Sequence, residues 1–192
     1  MSVRLKRPPF EITTDPSRFD LDQIWRWLSG SYWATGIPRA LVERSIRGAL
    51  CFGILEGRRQ VGLARVITDR ATFAYLADVF VDEGARGRGL ARWLMQAILA
   101  HPELQGLRRW LLATRDAHRL YAGAGFRPLA HPEVFMEINR PGIYQSNSGT
   151  LKGFPNPPAM MRGERSSPAP HAKRQARATR VRSSRRARRA SG

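Results

Sequence analysis

The chain has 192 residues, 33 of them Lys or Arg and 15 Asp or Glu, giving a net charge of +18 and enough length for one domain with a real core. A single cysteine, Cys51, excludes an internal disulfide, and four scattered histidines (His101, His118, His131 and His171) lack ligand spacing, so no metal site is expected. The basic start is not followed by an apolar leader core, and no run approaches the ~18 apolar residues of a membrane span, so a soluble cytoplasmic protein is expected.

Taken in order, Phe10-Glu11-Ile12-Thr13 alternates apolar and polar and predicts a first strand, broken by Thr14-Asp15-Pro16. Leu21, Ile24, Trp25 and Leu28 fall on one helical face, and Gly30 ends that helix. An aromatic-rich loop, Ser31 to Pro38, leads into a second helix from about Pro38 to Arg47, with Leu41, Val42 and Ile46 in register. Ala49–Glu56, Gln60–Thr68 and Thr72–Val81 predict an antiparallel meander joined by short turns. Cys51 lies in the first of these and reads as a small buried hydrophobe. A helix over Gly87–Ala100, a strand over Gly106–Thr114, a short helix over Asp116–Ala124 and late strands at Phe126–Leu129 and Val134–Ile138 follow.

The most informative stretch is Leu76–Ala100, which passes from an apolar strand containing Asp78, through a polar turn, into a helix whose buried face carries Leu90, Leu94, Ala97 and Ile98. At the junction stands Arg86-Gly87-Arg88-Gly89-Leu90-Ala91. The first amides of a helix lack intrahelical partners, and the helix dipole adds partial positive charge there. Gly87 and Gly89 let a ligand approach the backbone, and two arginines add full charges, so the junction suits a phosphate or pyrophosphate. No Lys-Ser/Thr follows the glycines, against a Walker A loop. Arg92 stands where a Rossmann fingerprint needs its third glycine. An ordinary strand-to-helix turn stays open beside these readings.

The same six residues satisfy [RQ]-x-x-G-x-[GA], a pattern that resembles the coenzyme A loop of the GNAT acetyltransferase superfamily. About 30 residues on, Ala117 to Phe126 (AHRLYAGAGF) is similar to that superfamily's second signature, A-x-x-L-Y-x-x-x-G-F. The order β-αα-βββ-α-β-α-β also matches, so the resemblance implies an α/β layered fold over residues 1–145: a central mixed, mostly antiparallel sheet flanked by helices. Thr114 departs from the family, where many relatives carry Asn, which puts an amide contact to the cofactor there in doubt.

The resemblance implies an N-acetyltransferase that moves an acetyl group from acetyl-CoA to a primary amine of a small molecule or protein, by direct attack in a ternary complex. The pantetheine arm would lie along the backbone of Val79, Phe80 and Val81, and the pyrophosphate on the amides of Arg86, Gly87, Arg88, Gly89, Leu90 and Ala91. A backbone amide near Val79–Val81 would stabilise the oxyanion. Tyr121 takes the general-acid position, or else packs the last helix on the sheet. Asp78 is a base or a structural hydrogen-bonding group, because an acid in an apolar strand needs a partner, and Glu83 or His118 could act through water. Tyr32, Trp33 and Tyr75 would line the acceptor side, while Trp25 belongs to the core. Neither a metal nor a particular acceptor is implied, and a monomer or a homodimer is expected.

Residues 146–192 hold twelve Lys/Arg against one acid, Glu164, leaving +7 of the +18 for residues 1–145. Rich in Pro, Ser and Arg, this segment predicts a disordered tail. It is either a dispensable extension or a non-specific, salt-sensitive contact for RNA, DNA or an acidic membrane surface. The alternative function is accordingly a non-catalytic domain of the same fold, tethered to nucleic acid by that tail.

Overall fold

The computed structural model describes residues 2–145, and the predicted tail lies outside the described residues. Six strands form one mixed sheet in sequence order: β1 (Arg4–Arg7), β2 (Phe10–Thr13), β3 (Leu50–Glu56), β4 (Arg59–Thr68), β5 (Phe73–Val81) and β6 (Arg109–Leu111). Neighbours pair antiparallel except β5 and β6, which run parallel. The helices are α1 (Leu21–Ser29), α2 (Arg39–Arg47), α3 (Leu90–Leu99) and α4 (His118–Ala122).

Local chemistry sets the turns. Gly57, at φ +62°, allows the tight β3–β4 hairpin. Between β4 and β5, the Asp69 carboxylate accepts from the amides of Ala71, Thr72 and Phe73 and from the Thr72 hydroxyl. Those bonds hold its pKa far below the usual carboxylate range. At α1, Asp20 accepts from the Gln23 amide at 2.8 Å, satisfying one of the helix's bare donors.

The two sheet faces bury separate clusters. Ile24, Trp27 and Leu28 of α1 and Val42 and Ile46 of α2 cover Cys51 and Leu63 on one face. Leu90, Leu94, Met95 and Ile98 of α3 cover Phe52, Ile54, Val66, Ala74 and Leu76 on the other. Each such fully buried side chain contributes about 1.5–3 kcal/mol of transfer free energy, so packing rather than helix propensity fixes the layers. Burial raises the Cys51 thiol to about 12, which removes it from nucleophilic chemistry.

The structure corrects the predicted order at both ends. β1 was not expected: all four of its residues are exposed, and their charge hides the strand from a hydropathy reading while suiting a sheet edge. The late strands at Phe126–Leu129 and Val134–Ile138 do not form. Pro128 lacks the N–H that a ladder needs, Pro132–Val134 is taken up in a 3-10 turn, and Leu129, Val134, Met136 and Ile138 are exposed. The predicted strand over Gly106–Thr114 contracts to β6, because only Arg109–Leu111 pairs with β5. Trp25 is half-buried, packs against the α1–α2 cluster at its margin and donates its indole N–H to the Ile37 carbonyl at 3.0 Å. Trp27 enters the core instead and stacks on Phe80 at 4.9 Å.

Candidate active site

The site begins where two parallel strands part. β5 and β6 pair at Phe73–Arg109, Ala74–Trp110 and Tyr75–Leu111, and the pairing stops there. β5 runs on to Val81 with no β6 pairing over residues 76–81. Within this free stretch the β4–β5 register slips, and Asp78 adopts φ +51°. The bulge changes which face each residue meets. Ala74 and Leu76 lie in the α3 cluster before it, and Val79 and Val81 pack there after it, while Phe80 joins the α1–α2 cluster.

Asp78 is not a lone acid. Arg65, across the β4–β5 pair, donates Nε to one carboxylate oxygen at 2.6 Å, and the Trp33 indole N–H donates to the other at 3.0 Å. The pair is substantially buried, with 8 % of the Asp78 and 18 % of the Arg65 side chain exposed. Arg65 is the residue the sequence reading missed. Its signal was present: a single arginine inside the apolar strand facing the one that carries the single acid.

After β5 the chain turns through Glu83–Ala85 into the glycine loop. Gly87 (φ +75°) and Gly89 (φ +73°) both take the left-handed conformation, the loop's geometric reason for glycine. Gly89 caps α3 without a side-chain hydrogen bond, and Trp93 is the first amide bonded back into the helix, to the Gly89 carbonyl at 3.1 Å. The amides of Leu90, Ala91 and Arg92 therefore point out of the helix with no partner among the described residues. Three arginines surround them. Arg86 donates to the Val81 carbonyl at 3.1 Å, Arg88 pairs with Glu56 at 3.0 Å, and Arg7 of β1 donates to the Arg88 carbonyl at 3.0 Å. This group offers an anion bare amides and positive charge together.

Tyr121 of α4 is 9 % exposed and packs edge-on against Phe126 at 6.1 Å. Its hydroxyl bonds to no described residue. It lines a cavity of about 870 Å³ between β6, α4 and residues 124–135, together with Thr114 and His118. Burial first, then the nearby Tyr32 and Asp116, push its pKa above the ordinary 10.0, so it keeps its proton at neutral pH.

The loop after α1 bridges the opening. Trp33 reaches Asp78 on β5, while the Tyr32 hydroxyl accepts from the Arg115 amide, beyond the end of β6, at 3.3 Å. The two rings meet edge-to-face at 4.9 Å, and the Arg115 guanidinium lies 3.8 Å from the centre of the Tyr32 ring. Both aromatics remain partly open, at 48 % and 43 % exposure. Tyr75 is half-buried in β5, Glu83 is largely exposed beside Arg86, and His118 is exposed at the start of α4.

A sequence model of the acetyltransferase (GNAT) family matches residues 11–126, more than half of the chain. The chain belongs to the GNAT acetyltransferase family. It is therefore an acyltransferase, and the matched span includes the strand opening, the glycine loop and Tyr121. Among relatives of this GNAT domain, the Gibberella zeae protein FG08082, named as a candidate acetyltransferase, is 33 % identical over 138 residues, covering 60 % of this chain and 77 % of its own. A crystal structure from Xanthomonas campestris pv. campestris, assigned by name to the same family, is 52 % identical. It superposes with a TM-score of 0.71 over 73 % of this chain and 100 % of that one. AAC(6')-Iy in complex with the bisubstrate analog CoA-S-monomethyl-acetylneamine shares the fold at 19 % identity and a TM-score of 0.50, over 68 % of this chain and 98 % of that one. Among the described residues, no helix is long and apolar enough to cross a membrane.

Proposed function

We propose that this GNAT domain transfers the acetyl group of acetyl-CoA to a primary amine by direct attack in a ternary complex. The observation that carries this is the pair of left-handed glycines that leaves the first α3 amides bare, just after the strand that parts from its neighbour. The pyrophosphate is assigned to the Arg86–Ala91 loop, and the pantetheine to the backbone of Val79, Phe80 and Val81. Charge-assisted bonds of about 1.5–3 kcal/mol each would let the amides hold the cofactor with no single arginine dominating.

In this reading the amine lone pair attacks the thioester carbonyl carbon, forming a tetrahedral oxyanion facing a backbone N–H of Val79–Val81. The C–S bond then breaks, and the thiolate takes its proton from the Tyr121 hydroxyl. The proton lost by the nitrogen returns through water to the tyrosinate. An α-amine, with an ordinary pKa of about 7.7–8, reaches its neutral form more easily than a lysine side chain at about 10.4. Asp78 lies within the stretch of β5 that has no β6 pairing. With both oxygens already on donors, its stronger role in this reading is to hold the bulge and the Trp33 loop in place. Tyr32, Trp33 and Tyr75 form the acceptor side.

The test is a thermal shift with acetyl-CoA, in which ligand at ~100-fold its Kd stabilises by about 2.7 kcal/mol. Absence of any shift overturns the assignment. The non-catalytic alternative has no support among the relatives found.

A further inference from the structure

We infer that the acceptor carries an anionic group as well as its amine, and that Arg115, laid flat on Tyr32, recognises that anion at the mouth of the site. The inference rests on the acetyl-transfer reading above and adds the acceptor's chemical class to it.

The argument starts from the charges at this mouth. Asp78 is neutralised by Arg65 at 2.6 Å, so that pair offers an incoming amine little net attraction. Arg115 is different: it is exposed and forms no ion pair among the described residues. Its neighbour Asp116 is also exposed and unpaired, and bears electrostatically on Tyr121. Among the described residues, Arg115 and Asp116 thus place a cation and an anion without ion pairs side by side, which matches a ligand carrying both signs. A plain amine would meet Arg115 as repulsion.

Geometry makes Arg115 more than a surface charge. Its backbone N–H donates to the Tyr32 hydroxyl at 3.3 Å, and its own guanidinium stacks 3.8 Å from the centre of the same ring. Tyr32 in turn abuts Trp33, which is tied to Asp78. A guanidinium stacked on a ring uses its face and not its N–H edge, and Arg115 is exposed. That edge is the fork that binds a carboxylate or phosphate bidentately. Arg115 directly follows Thr114, which lines the Tyr121 cavity, and the ring beneath it abuts the Trp33 that is tied to Asp78 on β5, so an anion held at Arg115 lies beside the acceptor side of the site.

The experiment compares four primary amines at fixed acetyl-CoA: γ-aminobutyrate, aminopropyl phosphonate, butylamine and putrescine. The two anionic amines should give kcat/KM about tenfold or more above the other two, a single charge-assisted contact's worth of discrimination. The better of the two tells carboxylate from phosphate. Arg115→Ala should bring the ratio of anionic to neutral acceptor close to one, mainly through KM, and Arg115→Lys should restore part of it. A purely structural role for Arg115 would lower all four substrates together and leave the ratio alone, which overturns the proposal. Equal turnover of all four by the wild type, a preference for putrescine, or no turnover of any of them despite an acetyl-CoA thermal shift also overturns it. If acetyl-CoA gives no shift, the acetyl-transfer reading falls, and this inference falls with it.

Discussion

Asp78 sits between two donors in a strand that otherwise carries apolar and aromatic side chains. Removing the charge leaves Arg65 buried without its partner, a change that costs about 3 kcal/mol when one member of a buried pair is lost. Asp78→Asn should therefore lower the unfolding free energy by roughly that amount in urea titrations, and a second change, Arg65→Met, should recover part of it. If Asp78 is also the base, the same variant would lose kcat far beyond what its lowered stability explains. Tyr121 makes a separate prediction. Tyr121→Phe should bind acetyl-CoA normally while kcat falls about 10²–10⁴-fold. Because burial raises the tyrosine pKa above its ordinary 10.0, its proton is retained while an α-amine deprotonates. The wild-type rate should then rise with pH as the acceptor loses its proton, with no falling limb from Tyr121 below pH 10. Tyr121 was legible in the sequence from its place between Leu120 and Gly125-Phe126. Arg65 left only the mark of a lone arginine inside an apolar strand, and Arg115 left none, because their partners lie 13 and 83 residues away.

At the scale of elements, the glycine loop and α3 were readable because both rest on local rules: apolar residues at helical spacing, and residues without Cβ where the backbone turns left-handed. Gly87 and Gly89 differ in surroundings. A Cβ at Gly87 meets nothing within 4 Å, whereas one at Gly89 meets the Arg7 guanidinium at 3.7 Å, an ordinary contact. Neither position is crowded, so alanine at either should cost the left-handed penalty, about 1–2 kcal/mol, by backbone strain. Gly87→Ala and Gly89→Ala should also weaken acetyl-CoA in isothermal titration as the strained loop reorients its amides. Unchanged affinity in both would detach the loop from the cofactor. The strand reading failed where pairing, not pattern, decides. Val134, Met136 and Ile138 alternate as a strand should, yet no ladder receives them. Arg4–Arg7 has no apolar residue but Leu5, yet pairs along its whole length with β2.

Across the whole molecule, stability should depend on pH through one buried imidazole. His101 is 2 % exposed beneath Phe52, with Nδ1 accepting from the Glu103 amide at 3.2 Å and Nε2 buried without a partner. Burial lowers its pKa below the ordinary 6.5. As pH falls through 6.5, the unfolded chain takes up the proton first, so the contribution present above that point is lost on acidification. The melting temperature of the wild type should fall between pH 7 and pH 5, and His101→Leu should flatten that slope. The layered arrangement also depends on parity. A strand alternates sides strictly, and the extra residue at Asp78 reverses the count, so Phe80 meets Trp27 in one layer while Val79 and Val81 meet the other. The displaced residue thereby does two jobs with one irregularity. It distributes the side chains that follow it to the correct layers, and it bends the backbone at the place where the strand keeps β4 on one side and has parted from β6 on the other.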